Sequence, residues 1–206
     1  FPKHSETFVS REIIALRERR IAVEVYALRP VPLSETHRWM HHLAGTAYYR
    51  RVLRNPMLGV FFLLFWGSRR PGIVLPGLFR CMQQGVSKPT KGLRTFLRFL
   101  TACEFARIMR KRHVRHVHAH FADVPAEIAG TAAKLLRCRF SVSAHAHDVY
   151  TLPQAQLHRN LRDAAFIAVC TRKALHYLRS HLRTIPENRF RLITHGLNLS
   201  DCPPAR

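Results

Sequence analysis

Histidines spaced two residues apart occur in two segments of the chain, and imidazoles in this pattern serve hydrogen bonding or metal ligation. The first segment contains His116, His118 and His120, and the second contains His145, His147 and Asp148. Because side chains alternate along a strand, the three histidines of the first segment share one face. Adjacent parallel strands would bring the two sets together, and imidazole with carboxylate is a donor set that suits zinc.

Two interpretations of this cluster are open. In one, the histidines hold a metal ion that activates water for hydrolysis. In the other, they lie at strand ends in a ligand cleft and hydrogen-bond the ligand without a metal. The sequence favours the second interpretation, because a metal-dependent hydrolase needs further acidic ligands and, of the four aspartates, only Asp123 and Asp148 lie near the histidines.

The elements around the histidines alternate between strands and helices. The pattern predicts strands over 114–121, 139–145, 165–169 and 190–194, with helices over 125–137, 153–163 and 171–182. This order predicts an α/β fold, a Rossmann-like doubly wound parallel sheet with helices on both faces. Ligands bind such sheets at the carboxyl ends of the strands, where these histidines lie.

Residues before the histidine segments predict a less regular arrangement. An amphipathic helix is predicted over 5–20, with Ser5 or Thr7 as its N-cap, followed by a strand over 21–28. A parallel strand after a helix requires an earlier strand, which we expect upstream of Phe1. A helical insertion is predicted over about 33–112, with its clearest helix at 92–112. Pro203 and Pro204 predict a linker over 201–206.

The charge balance is strongly basic. Lysine and arginine number 34 against 12 acidic residues, which gives a net charge of +22. Such a field favours polyanions, including nucleic acid, anionic lipid and phosphorylated substrates, although an arginine-rich genome would also produce it. The aromatic residues fall in apolar helices rather than on a polar strand face. A basic nucleic-acid-binding domain is therefore an alternative, but specific nucleic-acid recognition is not expected.

The cysteines indicate a reducing compartment. Five cysteines are present, at widely separated positions and without a Cys-x-x-Cys pair. This pattern argues against a disulfide framework and against a structural zinc site, and it favours the cytoplasm. Residues 1–20 also lack the apolar core of a signal peptide.

The apolar run at 58–66 is too short to span a bilayer, which takes about 20 residues. The segment 56–70 is either a buried core helix or a helix lying in the membrane interface. Arginines on both sides of the run would meet anionic headgroups in the second case. The membrane-contacting residues predicted on that basis are Arg50, Arg51, Arg54, Phe61, Phe62, Phe65, Trp66, Arg69 and Arg70.

Four short stretches of this chain carry a family resemblance. They are Phe-Pro-Lys-His-Ser-Glu-Thr-Phe-Val-Ser-Arg-Glu-Ile at 1–13, His-Ala-His-Phe-Ala with Pro-Ala-Glu-Ile-Ala at 118–129, Ser-Ala-His-Ala-His-Asp-Val-Tyr at 143–150, and Ile-Thr-His-Gly-Leu-Asn-Leu-Ser at 193–200. Together they resemble bacterial GT-B glycosyltransferases of family 4, and more narrowly those of colanic acid and other exopolysaccharide synthesis. The resemblance covers 1–29 and 113–204, and covers 33–112 only loosely.

The resemblance implies a fold with two Rossmann-like domains facing a cleft, of which residues 1–200 look like the N-terminal, acceptor-side domain. The family's Glu-x7-Glu motif, which holds the donor, has no counterpart after Gly196. The resemblance implies catalytic roles for His145 and Asp148. It also implies substrate contacts, with no metal or cofactor, from Ser5, Glu6, Thr7, His118, His120, His147, His195 and Gly196.

The function implied by the resemblance is that of a hexosyltransferase, generally of the retaining type. It would move a sugar from a nucleotide-sugar donor to a polyprenyl-phosphate-linked saccharide. The basic charge suits an anionic membrane surface, so we expect peripheral attachment at the inner face of the cytoplasmic membrane. Without the donor-binding half, residues 1–206 are expected to be inactive and prone to aggregation.

Overall fold

The computed structural model describes residues 1–196, which divide into two compact units. The first consists of Phe1–Tyr49 and the described residues from Leu192 onward, and the second is Arg50–Arg191. The last four residues of the fourth family-like stretch, Cys202 and the predicted linker at 201–206 lie outside the described residues.

The first unit is built around an amphipathic helix. After a 3-10 turn at His4–Glu6, α1 spans Thr7–Glu18 and buries Val9 and Ile13 against Leu43. Leu43 belongs to the short α2, His41–Thr46. The N-cap of α1 is Glu6, rather than the predicted Ser5 or Thr7, and it makes no side-chain capping bond.

The strand predicted over 21–28 is much shorter in the structure. Only Tyr26–Ala27, β1, is a strand, and it pairs in parallel with Tyr48–Tyr49, β2. Because β2 has just two residues, it offers hydrogen-bonding partners to only a short part of the predicted strand. The alternation of apolar residues at Ile21, Val23 and Val25 still serves packing, since Val23 and Val25 contact the α1 core.

The second unit begins with three consecutive helices. They are α3 at Pro56–Arg69, α4 at Pro71–Ser87 and α5 at Pro89–Lys111, and each has a proline in its first turn. Asn55 caps α3, because its side chain accepts a hydrogen bond from the backbone N–H of Met57 at 3.0 Å. The first-turn proline is favourable at this position, where its missing N–H would have no helical partner.

Helix α4 lies within the helical insertion predicted over about 33–112, where only the helix at 92–112 was given bounds. Glycine and proline occur repeatedly between 67 and 92, and Pro76 lies inside α4. An internal proline removes one helical hydrogen bond. Packing offsets this cost, because Val74 and Cys81 are buried and Gly77 lies against the ring of Phe99 on α5.

The position of α3 corrects two of the predicted membrane contacts. Phe62 and Trp66 are buried, with 7% and 2% of their surfaces exposed. The indole Nε1 of Trp66 donates a hydrogen bond to the backbone oxygen of Cys103 on α5 at 2.9 Å. These two side chains therefore belong to the protein core, and the opposite side of α3 carries its exposed apolar residues.

The predicted α/β fold is confirmed. A four-stranded parallel sheet runs in the order β3–β4–β5–β6, with strands at His116–His120, Arg139–Ala144, Phe166–Val169 and Phe190–Leu192. The helices between the strands are α6 at Val124–Leu136, α7 at Ala146–Thr151, α8 at Gln154–Leu161 and α9 at Arg172–His181. Strands consecutive in sequence are adjacent in this sheet, and the helices that connect them allow the strands to run parallel.

The two faces of β3 and β4 have different chemistry. Val117 and Ala119 pair with Phe140 and Val142, and this apolar face meets α6, where Gly130 lies close to the Phe140 ring. His116, His118 and His120 take the other face because side chains alternate. Among residues 1–196, no helix combines the length and the apolar character needed to cross a bilayer.

Candidate functional site

The candidate site lies at the carboxyl ends of β3 and β4, within the second unit. The register sets His118 opposite Ser141 and His120 opposite Ser143. The Oγ atom of Ser141 lies 2.7 Å from both His116 Nε2 and His118 Nδ1. The Oγ atom of Ser143 lies 2.9 Å from His118 Nε2. A ladder of histidines and serines therefore joins the two strands.

His118 is the centre of this ladder. Burial, with a smaller contribution from neighbouring His116, lowers its pKa to about 4. The ring is therefore neutral at physiological pH and both of its nitrogens are engaged by serine hydroxyls. A metal ion or a substrate would have to displace one of these serines to reach His118. These two contacts give His118 a structural role in joining β3 to β4.

Beyond the ladder, three rings gather where β3 ends. The ring of His120 is edge-on to His118, at 5.1 Å between centroids, and is stacked with His145 at 5.9 Å. Phe121 follows with a φ of 76°, a left-handed conformation that a bulky residue rarely adopts. Its ring lies 4.7 Å from that of His145. The turn at Phe121 thus places β3's last histidine beside the first residue after β4.

His145 is the N-cap of α7 and is buried. Its imidazole accepts a hydrogen bond from the backbone N–H of Asp148. A ring nitrogen that accepts a hydrogen bond carries no proton, so the proton of the neutral ring lies on the other nitrogen. His145 therefore has a defined tautomer, with one nitrogen bound to the backbone and the other carrying an N–H donor.

Asp148 joins the two strand-end loops. One carboxylate oxygen accepts the backbone N–H of His145 at 3.0 Å, and the other accepts the backbone N–H of Ala122 after β3. The residue is 1% exposed. Burial raises its pKa, and the backbone hydrogen bonds act in the opposite direction. Because both oxygens serve the backbone, Asp148 fixes the position of His145 and is a positioning residue.

Asn160 is a further part of the site that sequence reasoning missed. Its side-chain amide on α8 donates to the backbone oxygens of Ala122 at 2.8 Å and of Asp123 at 3.0 Å. The loop after β3 is thus held by Asp148 on one side and by Asn160 on the other. Its partners lie almost 40 residues away in the sequence, and no local pattern marks such a contact.

His147 lies apart from the other histidines of the cluster. The spacing of two residues recurs at His145 and His147, but β4 ends at Ala144 and the chain turns into α7. His147 is consequently exposed on the helix, where its backbone oxygen accepts from the Thr151 hydroxyl at 2.7 Å. Residues two apart share a face in a strand but not in a helix, so the spacing does not bring His145 and His147 together.

The remaining predicted site residues belong to the first unit. Ser5 is exposed, and Glu6 and Thr7 are half-buried at the beginning of α1. His195 and Gly196 are exposed, and the His195 ring lies 4.6 Å from the ring of Phe8 on α1. The first unit therefore places His195 beside α1, the helix that begins at Thr7 directly after Ser5 and Glu6.

Comparison of the chain with protein-family models and with curated proteins gives no match.

Proposed function

We propose that this chain is the acceptor-side domain of a GT-B-like glycosyltransferase. It would transfer a sugar from a nucleotide-sugar donor to a saccharide carried on polyprenyl phosphate, at the inner face of the cytoplasmic membrane. The four sequence stretches that resemble family 4 enzymes support the proposal. The parallel α/β sheet is compatible with it, because each half of a GT-B fold is built on such a sheet.

The observation that carries the proposal is the Asp148 bridge between the two strand-end loops. It holds His145 at the carboxyl end of β4, the edge at which α/β sheets bind ligands. Backbone bonding of one ring nitrogen leaves the other as a proton-bearing donor. Such a donor stabilises an oxygen that gains negative charge in the transition state, an effect worth about 10²–10³ in rate.

The division of roles follows from the contacts. His145 would touch the reacting sugar, whereas Asp148 would act through His145 by fixing its backbone and its ring. His120 and Phe121 pack against the His145 ring and limit its rotation. In this proposal, the chain's own residues orient a neutral donor at the reaction centre, and no step requires a metal ion.

The test is a transfer assay on the full gene product that contains this chain. Labelled UDP-glucose, UDP-galactose and GDP-mannose are each incubated with polyprenyl-linked saccharides extracted from membranes, and label in the lipid fraction is measured. His145→Ala is expected to lower the rate at least a hundredfold. His176→Ala, at an exposed histidine on α9, is the matched control. Equal rates for a folded His145→Ala protein and wild type would reject the proposal.

A further inference from the structure

Helix α3 presents an exposed apolar stripe on the side away from α5. Met57, Val60, Phe61 and Leu64 are between 50% and 71% exposed. Their spacing of three and four residues places them on one face, and the buried Phe62 and Trp66 lie on the other. Four large apolar side chains in one such stripe are an unusual surface for a protein that has no partner there.

Helix α4 carries a second stripe of the same kind. Leu75, Phe79, Met82 and Val86 follow at intervals of four, three and four residues, and they are 60% to 89% exposed. The helix contacts both α3 and α5, so this stripe is on a packed helix rather than a loose segment. The second unit therefore exposes apolar stripes on two consecutive helices.

Arginines gather at the carboxyl end of the α3 stripe. The guanidinium groups of Arg69, Arg107 and Arg110 lie 4.2, 4.5 and 5.6 Å from the centre of the Phe65 ring. Phe65 in turn contacts Phe61 of the stripe, at 6.3 Å between ring centroids. A pocket of about 290 Å³ opens beside them, lined by Trp66, Arg69, Arg70, Arg110, Leu135 and Leu136.

These arginines have no acidic partner within the part of the chain that the structure describes. Arg80 and Arg98 of the same helical region differ, because each lies 2.9 Å from the carboxylate of Glu127. The Phe65 ring attracts the three guanidinium groups through its face but carries no negative charge. A phosphate oxyanion would supply the missing charge, and arginine binds phosphate through paired N–H donors.

The basic charge of the surrounding segment indicates which partner binds the two apolar stripes. No aspartate or glutamate occurs between Glu35 and Glu104, whereas ten lysines and arginines lie between 50 and 103. A second copy of the chain would bring two such basic surfaces together, at a cost in repulsion. An anionic bilayer offers both an apolar interior for the stripes and negative headgroups for the arginines.

We propose that α3 and α4 together dock on an anionic lipid bilayer, and that the arginine pocket at the end of α3 binds the phosphates of its lipids. This extends the proposed function, since a polyprenyl-linked acceptor resides in a bilayer. It also adds a second helix to the membrane contact predicted from sequence and removes Phe62 and Trp66 from it. Its tests need no sugar transfer, so their failure and that of the glycosyltransferase proposal are distinguishable.

The first experiment measures co-flotation of the purified chain with lipid vesicles on a density gradient, which separates vesicle-bound protein from aggregates. Vesicles of phosphatidylcholine containing phosphatidylglycerol are expected to bind it, and pure phosphatidylcholine much less. Raising the salt concentration should weaken binding, because salt screens the arginine–headgroup attraction. Equal binding to both vesicle types, or to neither, would overturn the proposal.

The second experiment tests α4 itself. Phe79→Ser combined with Met82→Ser is expected to weaken vesicle binding about tenfold or more, because two apolar side chains leave the acyl region. The matched control is Leu33→Ser with Ile193→Ser, which are 54% and 52% exposed in the first unit. All four sites are exposed, so the variants should fold, which circular dichroism checks. Equal losses in the two double variants would overturn the role of α4.

The third experiment tests the pocket. Arg69→Gln with Arg110→Gln is expected to weaken binding about thirtyfold, the effect of two arginines at an anionic surface. Arg172→Gln with Arg179→Gln removes the same charge from exposed positions on α9 and should change binding much less. Equal effects would show that only net charge matters and would overturn the pocket.

Two further measurements separate the other occupants. Inorganic phosphate, at constant ionic strength, should not displace the chain from vesicles, since a lipid phosphate is held together with the apolar contact. Displacement would assign the pocket to a soluble phosphate and overturn the lipid assignment. Sedimentation velocity is expected to show a monomer. A dimer that Phe79→Ser dissociates would make the stripes a self-association surface and would overturn the lipid assignment.

Discussion

The Nδ1 atom of His118 lies 2.7 Å from the Oγ atom of Ser141, and this contact ties the imidazole of β3 to the neighbouring strand β4. Ser143 engages the other ring nitrogen at 2.9 Å. A neutral imidazole has one donor nitrogen and one acceptor nitrogen, so one serine hydroxyl accepts a hydrogen bond from the ring and the other donates one to it. Protonation would convert the acceptor nitrogen into a donor and would place a charge in a buried site.

Acid is therefore expected to destabilise the fold through His118. Its pKa is about 4 in the folded chain, against 6.5 for the unperturbed side chain. The unfolded state then binds more protons, so stability is fully present above pH 6.5 and is lost as the pH falls toward 4. From these two pKa values we expect His118 to cost about 2 kcal/mol at pH 5.

Urea unfolding of wild type and His118→Gln, at pH 7.5 and at pH 5, measures this effect. The glutamine variant keeps a donor and an acceptor but does not titrate. We expect its free energy of unfolding to fall less between the two pH values than that of wild type, by about 2 kcal/mol. The same pH dependence in both proteins would show that His118 is not the group responsible.

Asp148→Asn tests the positioning role of the strand-end bridge. Asparagine has a single acceptor oxygen, so one of the backbone N–H groups of His145 and Ala122 would face the amide NH₂ instead. We expect a displaced His145 and a turnover number lower by about 10- to 100-fold, since small misplacements are costly in catalysis.

The measurements for Asp148→Asn are steady-state kinetics and the NMR signal of the His145 ring. The expected pattern is a lower kcat with a smaller change in KM, together with a shifted His145 signal. Asp163→Asn is the control, because Asp163 is half-exposed beside Lys134. A normal rate with an unchanged His145 signal would contradict the positioning role.

Glu104→Gln is expected to lower the free energy of unfolding by about 2–3 kcal/mol. The Glu104 carboxylate is 1% exposed on α5 and accepts the backbone N–H groups of Arg51 at 2.8 Å and Val52 at 2.9 Å. Glutamine offers one oxygen for two donors, which leaves a buried N–H unsatisfied. Urea unfolding measures the loss, and exposed Glu187→Gln, expected within about 0.5 kcal/mol of wild type, is the control.

Gly92→Ala is expected to destabilise the chain by about 2–3 kcal/mol through overpacking. A Cβ atom at Gly92 would lie 2.5 Å from the Cα of Gly85, so the backbones of α4 and α5 would have to separate. Gly67→Ala on α3 meets no atom within 4 Å and should be stabilising by about 0.5–1 kcal/mol. Thermal or urea unfolding compares the two, and equal effects would refute the close contact between α4 and α5.

The strands around the site were predictable because their signal is local. Alternation at His116, Val117, His118 and Ala119 is visible in the sequence and corresponds to two faces of β3. Helix α4 was not predictable in the same way. Pro76 and Gly77 disfavour a helix locally, and only contacts with α5 outweigh them.

The candidate site was predictable in its residue types and not in its geometry. His145 and His147 have the spacing of a strand face, but β4 ends at Ala144 and the chain enters α7 at Ala146. Asn160 and Glu104 act on backbone groups 37 to 53 positions away, so their roles follow from the tertiary fold alone. Side chains that bond to distant backbone atoms produce no periodic residue pattern from which the contact could be predicted.

The segment from 50 to 103 contains neither an acidic residue nor a histidine. Its ten cationic groups are arginine and lysine, which keep their charge from pH 5 to pH 9. The attraction of this segment to an anionic surface is consequently independent of pH over this range and depends on ionic strength. Salt can therefore vary this attraction at a constant pH, which leaves the protonation of the rest of the chain unchanged.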